Sequence, residues 1–347
     1  MTMFRREVDM LVVGAGMTGL TAAAYAARSG LSVAVVEKAA EPGGTAALSS
    51  GYIWTAPTLE ALQGEDPDCD AELGAALADH FPVGLEWISS LGIELGEKIT
   101  GIYGFGYGHQ IDIADYLARC QALLANGGGE LLAGVDGVSL THDDGRVTGA
   151  RAGEHSITAT WTVLATGGIQ GDAGIRRREL GTEADQLVLR ASPSSTGDGL
   201  ELGRSAGALT TGGAGFYGHL IARPLAAFEP KDYLNFAQLH SGHCLLINTA
   251  GERFTDESLG DHINNQETLR QPGARGVLIG DERIRREHVL SAYIPGMVVL
   301  DKLEFAGAAG AHYATAPTVT DLAHQVTAWG YDGDAIEQTL ARADGLD

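Results

Sequence analysis

Positive charge is scarce in this chain. Lysine and arginine number 23 against 45 aspartates and glutamates, a net charge of −22 over 347 residues. A nucleic-acid binder needs a basic face, so no nucleic-acid partner is expected, and the same balance disfavours an anionic membrane surface. Long apolar runs are also missing. Met10 to Ala27 comes nearest to the ~20 residues of a membrane span, but Gly14, Gly16 and Gly19 break it. Arg5-Arg6 ahead of it mimic a twin-arginine signal. Glu7 and Asp9 interrupt that pattern, so neither a signal peptide nor a membrane partner is expected. Cysteines are few. Cys69, Cys120 and Cys244 form no CxxC pair and no disulfide framework, as expected for reduced thiols in a cytoplasmic protein. Glycine, in contrast, is abundant at 49 residues with no collagen-like period, which marks turns and close backbone approaches.

The first fifty residues carry the clearest motif. Val8 to Val13 reads as a buried strand, Leu20 to Ser29 as an Ala-rich helix stopped by Gly30, and Leu31 to Val36 as a second strand. Between the first strand and the helix stands Gly14-Ala15-Gly16-Met17-Thr18-Gly19, a GxGxxG turn of a βαβ unit. Gly14 permits the tight turn, Gly16 lets backbone N–H groups approach a pyrophosphate, and Gly19 lets helix and strand pack closely. The helix N-terminus presents its positive end to the phosphates. Glu37 ends the second strand, where a carboxylate accepts hydrogen bonds from ribose hydroxyls and repels a 2′-phosphate, which disfavours NADP. A dinucleotide is therefore expected, with NAD or FAD open at this point.

After Glu37-Lys38 the chain runs Gly43-Gly44-Thr45-Ala46-Ala47-Leu48-Ser49-Ser50-Gly51-Tyr52-Ile53-Trp54. This stretch resembles the FAD-binding loop of the fumarate reductase and succinate dehydrogenase flavoprotein superfamily, and is most similar to its soluble members and the 3-ketosteroid dehydrogenases. Ala165-Thr166-Gly167-Gly168 resembles the family's return to the flavin, and Thr196-Gly197-Asp198-Gly199 its TGDG segment. Leu245 to Glu257, with Asn248, Gly251, Arg253 and Phe254, resembles a strand, turn and RF strand of the family's cap domain. Arg253 there is expected to be an ion-pair partner rather than a catalyst. The resemblance implies an α/β fold: a Rossmann-like FAD-binding domain over 1–212, with a small β-meander at about 131–165, and an α+β cap domain over 213–347. It implies cofactor contacts from Gly14, Gly16, Thr18, Gly19, Glu37, Lys38, Gly44, Thr45, Ala46, Ser50, Gly51, Ala165, Thr166, Gly167 and Asp198. No histidine lies within Thr45 to Ser50, so non-covalent FAD is expected.

The same resemblance implies an FAD-dependent oxidoreductase that moves hydride between flavin N5 and a C–C bond next to a carbonyl or carboxylate. On the substrate side His219, Tyr217, His240 and Asp261 are the candidate catalytic residues, with Tyr107 a further possible donor. Where the fumarate reductases place a proton-delivering arginine, this chain has Asp261-His262. With few cations evident in the cap, a neutral or mono-anionic enone, enoate or steroid-like substrate is expected in preference to a dicarboxylate. The electron partner is undetermined. No metal is expected, since His240-x-x-His243 has only Cys244 beside it. Tyr103 to His109 reads as an aromatic, glycine-rich loop, and Thr318 to Ala343 as two closing helices. The family's C-terminal return to the FAD domain has no counterpart before Asp347. The alternative functions are thus a truncated flavin-binding fragment or pseudoenzyme, and an NAD-dependent dehydrogenase.

Overall fold

A computed structural model describes residues 4–67, 69–102, 105–210, 215–224, 228–229, 233–291 and 299–343. The chain divides into two compact units, Met1–Asp172 with Ala191–Thr211, and Ala173–Arg190 with Gly212–Asp347.

In the first unit β1 (Phe4–Val13) leads into α1 (Met17–Arg28) and β2 (Val33–Val36). Then come β3 (Tyr52–Thr55), α2 (Leu59–Glu65), α3 (Ala71–Ser90), β4 (Ile99–Ile102), β5 (Gly106–Gln110) and α4 (Ile113–Asn126). The unit closes with β6 (Glu130–Leu132), β7 (Ser139–Asp143), β8 (Arg146–Ala152), β9 (His155–Leu164) and a helix at Asp198–Ser205. The main sheet has the order β6-β2-β1-β9-β8-β7. Its β6, β2, β1 and β9 run parallel, while β8 and β7 are antiparallel hairpin strands. Strand alternation decides what each face buries. Along β1, Val12 points with Leu20, Tyr116, Leu117 and Leu124 toward α1 and α4. Leu11 and Val13 point to the opposite face with Val36, Ile157 and Leu202. Both faces are covered, so β1 reads as a continuous apolar run near its end, as parallel strands do. Arg5 and Arg6 lie within β1, and Arg6 pairs with Glu130.

The expected meander is present as two hairpins. Asp144 and Gly145, at φ 46° and 75°, turn β7 into β8, and Gly153 at φ 55° turns β8 into β9. The glycine-rich segment read as a loop is instead partly a strand. Tyr103 and Gly104 lie outside the described residues, but Gly106–Gln110 is β5, the centre of a β3-β5-β4 antiparallel sheet. Its glycines face a wall: a Cβ on Gly106 would meet the Trp54 ring, and one on Gly108 would meet the backbone of Ile53 and Trp54. Periodicity does not reveal such a strand, because alternate positions carry no side chain.

In the second unit β10 (Leu245–Ile247) pairs antiparallel with β11 (Val277–Ile279). The expected RF strand does not form. Arg253 makes only an isolated bridge to Ile247, on the edge of β10 opposite β11, and no ladder extends from it among the described residues. Helices Val319–Thr327 and Gly333–Ala343 close a core of Ile247, Val326, Tyr331, Ile336 and Leu340. Among the described residues no helix is long and apolar enough to cross a membrane.

Candidate functional site

Two residue constellations stand out, one in each unit. In the first, the Gly14–Gly19 turn joins β1 to α1. The Gly14 N–H donates to Val36 O at 2.8 Å, and the Ala165 N–H to Val13 O at 2.8 Å. These bonds draw the end of β9 against the turn. Gly14 sits at φ +102°, where an added Cβ would also meet the carbonyl of Ala165, so only glycine fits. A Cβ on Gly19 would run into the Gly14 carbonyl. Gly16 differs: nothing lies within 4 Å of where its Cβ would stand. That open space fronts the start of α1, where the pyrophosphate of a dinucleotide fits the exposed N–H groups.

Glu37 is 8% exposed at the end of β2. Its Oε2 accepts from the Ala15 N–H at 2.6 Å and its Oε1 from the Ala39 N–H at 2.7 Å. The carboxylate therefore fixes the turn and keeps further lone pairs for a ribose. Lys38 Nζ reaches Asp198 Oδ2 at 2.9 Å and also donates to Thr196 Oγ1. The Gly199 N–H donates to Thr166 Oγ1 at 2.9 Å, which fastens the start of the Asp198–Ser205 helix to the segment after β9. Gly44, Thr45 and Ala46 lie in a short 3₁₀ turn, Gly44–Leu48. Gly43 bridges to Gly16, and the Thr45 hydroxyl accepts from the Ser192 N–H at 3.2 Å. Ser50 and Gly51 stand just before β3, the latter against the Ile111 carbonyl.

Gly14, Glu37, Lys38, Thr166 and Asp198 line one cavity of about 540 Å³. Asp136, His142 and Ser194 also line it and were not anticipated. The Val135 N–H donates to Glu37 O at 2.9 Å, which brings that side of the meander beside β2. The signal was the Gly134 and Gly137 pair bounding the segment, both at positive φ. Thr18 lies in the first turn of α1, and Gly167 packs close to Ser195.

The second constellation gathers three of the four candidate catalytic residues around Asp261. His219 is 9% and Asp261 7% exposed. His219 Nδ1 meets Asp261 Oδ2, and the Ser241 hydroxyl donates to Asp261 Oδ1 at 3.2 Å. A carboxylate only accepts, so Nδ1 carries the proton of that bond. Asn264 Nδ2 donates to the Ser241 hydroxyl at 3.2 Å, extending the network. Tyr217 stands edge-on to His219 at 5.4 Å and is 55% exposed. His240, 5% exposed, feels the same carboxylate, but burial first and Lys302 second pull its imidazole down to about 4. It is neutral near pH 7 and a poor acid.

His262, already noted beside Asp261 in the sequence, completes this group with three residues not anticipated: Arg190, Tyr233 and Lys302. Tyr233 stacks on His219 at 5.8 Å, and His262 lies 4.9 Å from Tyr217. Burial, then His219, holds His262 below the usual imidazole range. The expectation of few cations is thereby corrected. Arg190 precedes the TGDG segment and Lys302 follows β11, so neither falls within the windows that sequence spacing singled out. Arg253 binds Glu257, its Nε 2.9 Å from Oε2, while the Leu246 N–H donates to Glu257 Oε1 at 2.7 Å.

A family model described as FAD binding domain matches residues 9–93 and 108–344. "Fumarate reductase (cytochrome)" of Shewanella frigidimarina is 25% identical over 374 aligned residues, 98% of this chain and 60% of that protein. "Vinyl phenol reductase" of Lactiplantibacillus plantarum is 28% identical over 287 residues, 72% of this chain and 57% of that one. Among solved structures, the open conformation of a flavocytochrome c3 fumarate reductase matches with a TM-score of 0.66 at 21% identity, over 98% of this chain and 61% of that one. A 3-ketosteroid-Δ4-(5α)-dehydrogenase from Rhodococcus jostii, solved with 4-androstene-3,17-dione, matches with a TM-score of 0.66 at 18% identity, over 100% of this chain and 79% of that one. These two share the fold. The chain spans about three fifths of the length of the curated relatives it matches.

Proposed function

This chain belongs to the FAD binding domain family, whose cofactor is FAD, and from that premise we propose that it is an FAD-dependent oxidoreductase acting on a C–C bond conjugated to a carbonyl or carboxylate. The observation that carries the reading is the Gly14–Gly19 turn with open space at Gly16 and Glu37 at the end of β2, a cradle that fits a dinucleotide. The names of the relatives, a fumarate reductase and a vinyl phenol reductase, support the reaction class.

The first unit is assigned as the FAD domain and the second as the substrate-binding cap. Gly14, Gly16, Thr18 and Gly19 would hold the pyrophosphate, with Glu37 on the ribose. Lys38, Gly44, Thr45, Ala46, Ser50, Gly51, Ala165, Thr166, Gly167 and Asp198 would line the rest of the cofactor site. Thr45 to Ser50 contains no histidine to attach the flavin, so the FAD is held non-covalently. Bound FAD supplies two-electron hydride exchange with one carbon of the double bond. His219, oriented by Asp261, polarises the substrate oxygen through Nε2. The Tyr217 hydroxyl delivers the proton to the carbon next to the carbonyl, so that hydride and proton together add H2 across the bond. His240 stays neutral and serves as a hydrogen-bonding wall. The three free cysteines fit a reducing cytoplasm.

The test is anaerobic. The chain loaded with FAD is reduced with dithionite and mixed with a panel of enones and enoates, and flavin reoxidation and saturated product are followed by absorbance and mass spectrometry. Reoxidation with stoichiometric saturated product supports the proposal. Bound FAD that no acceptor of the panel reoxidises contradicts it and favours a flavin-binding protein without this chemistry.

A further inference from the structure

Three buried side-chain atoms of the second unit have no hydrogen-bond partner among the described residues: Arg190 Nη1, Lys302 Nζ and Asn264 Oδ1. All three belong to the surroundings of Asp261. Asn264 reaches it through Ser241, Lys302 feels its charge, and Arg190 lies over Tyr233, which stacks on the His219 that Asp261 holds. A buried cationic donor without an acceptor is costly, so two of them beside one candidate site imply an acceptor that arrives with a ligand.

The posture of Arg190 shows which acceptor. Its Cζ lies 3.6 Å from the Tyr233 ring centroid and 5.1 Å from that of Tyr217. Stacking uses the face of the guanidinium and leaves its edge, where the N–H donors lie, for a planar partner. A carboxylate matches that edge with two parallel hydrogen bonds. The charges limit how many carboxylates the site takes. Leaving the imidazoles aside, the formal charges of Arg190 and Lys302 against Asp261 sum to +1. One carboxylate balances that sum and two do not. Tyr217, Tyr233 and His262 supply aromatic walls for an apolar remainder.

We infer that the second unit binds an α,β-unsaturated monocarboxylate, with its carboxylate on the edge of Arg190 and its apolar part among Tyr217, Tyr233 and His262. This rests on the reductase reading above and narrows it, from enones, enoates and steroid-like molecules to mono-anionic acids.

The test is equilibrium binding of cinnamate, methyl cinnamate and fumarate by calorimetry, to the full chain and to Arg190→Met and Arg190→Lys. Cinnamate is expected to bind the unaltered chain about 30-fold or more tighter than its ester, since a charge-assisted bidentate contact is worth roughly that ratio or more. Arg190→Met is expected to weaken cinnamate about 100-fold and leave the ester unchanged. Arg190→Lys, which keeps the charge and loses the fork, is expected to fall between. Equal binding of acid and ester, equal weakening of both by Arg190→Met, or fumarate binding tighter than cinnamate would each overturn the inference. If Arg190→Met does not fold, the acid-to-ester ratio of the unaltered chain and of Arg190→Lys still decides. Reoxidation of the reduced flavin by cinnamate is measured separately. Arginine-dependent cinnamate binding without reoxidation contradicts the reductase reading and leaves the anion site standing. Reoxidation without an acid-over-ester preference does the reverse.

Discussion

Lys38 Nζ stands 2.9 Å from Asp198 Oδ2, across 160 positions of sequence, and ties the end of β2 to the start of the Asp198–Ser205 helix. Thr196 completes the knot by donating to Asp198 Oδ1 at 2.9 Å. The pair is part-exposed, with 24% and 43% of the two side chains accessible, so its worth to folding is at most about 1 kcal/mol. Its value lies in fixing two edges of the cavity where FAD is proposed to bind. Asp198→Asn should therefore leave the melting temperature within a few degrees and weaken FAD by about tenfold or more. Fluorescence titration with FAD and a thermal melt on the same sample separate the two effects.

The three glycines of the nucleotide turn should behave differently when each becomes alanine. Gly16→Ala meets no protein atom within 4 Å, so stability should hold while FAD affinity drops at least about tenfold if the pyrophosphate lies at this turn as proposed. Gly19→Ala forces its Cβ into the Gly14 carbonyl, and Gly14→Ala adds strain at φ +102°, so both should destabilise the first unit by more than about 2 kcal/mol. Denaturant midpoints and FAD titrations of the three variants check this.

If His219 serves the substrate oxygen as proposed, His219→Ala should slow flavin reoxidation by enoates by about 100-fold or more while FAD affinity stays within twofold. Asp261→Asn should give a smaller loss of the same kind through misorientation of the imidazole, with an altered pH–rate profile. Equal loss of FAD binding and turnover in His219→Ala contradicts the role.

Glu257 is 2% exposed and held by Arg253 and the Leu246 N–H. Arg253→Ala leaves that buried carboxylate short of a partner and should cost about 2 kcal/mol, without changing how fast correctly folded protein reoxidises its flavin. Stability by urea unfolding, set beside single-turnover rates, reports both.

Acid should destabilise the second unit through His240. Its folded pKa of about 4 lies below the ~6.5 of an unfolded histidine, so the unfolded chain binds more protons between the two. Stability attributable to this group is full above pH ~6.5 and declines as the pH falls toward 4, by about 3 kcal/mol in all. His240→Gln should flatten that part of the stability–pH curve, measured by urea midpoints from pH 4 to 8.

Much of this is legible in the sequence alone. The βαβ motif at residues 8–37 and the meander turns at Asp144-Gly145 and Gly153 depend on local chemistry, namely glycine conformations and alternation within a few residues. What escaped depended on distant contacts. β5 was hidden because Gly106 and Gly108 offer no side-chain alternation, and the strand that pairs with β10 is β11, some thirty residues on, while the RF segment makes a single bridge on the opposite edge. Arg190 and Lys302 were missed for the same reason. They lie far apart in sequence and become part of the Asp261 group only when the second unit folds.

The most direct test of the account is the visible spectrum of the purified chain, before and after heat release, with the freed cofactor identified by mass spectrometry. The account predicts flavin bands, one FAD per chain, and complete release on denaturation. A folded protein that is colourless and takes up no added FAD, or one whose flavin stays attached after denaturation, would contradict it.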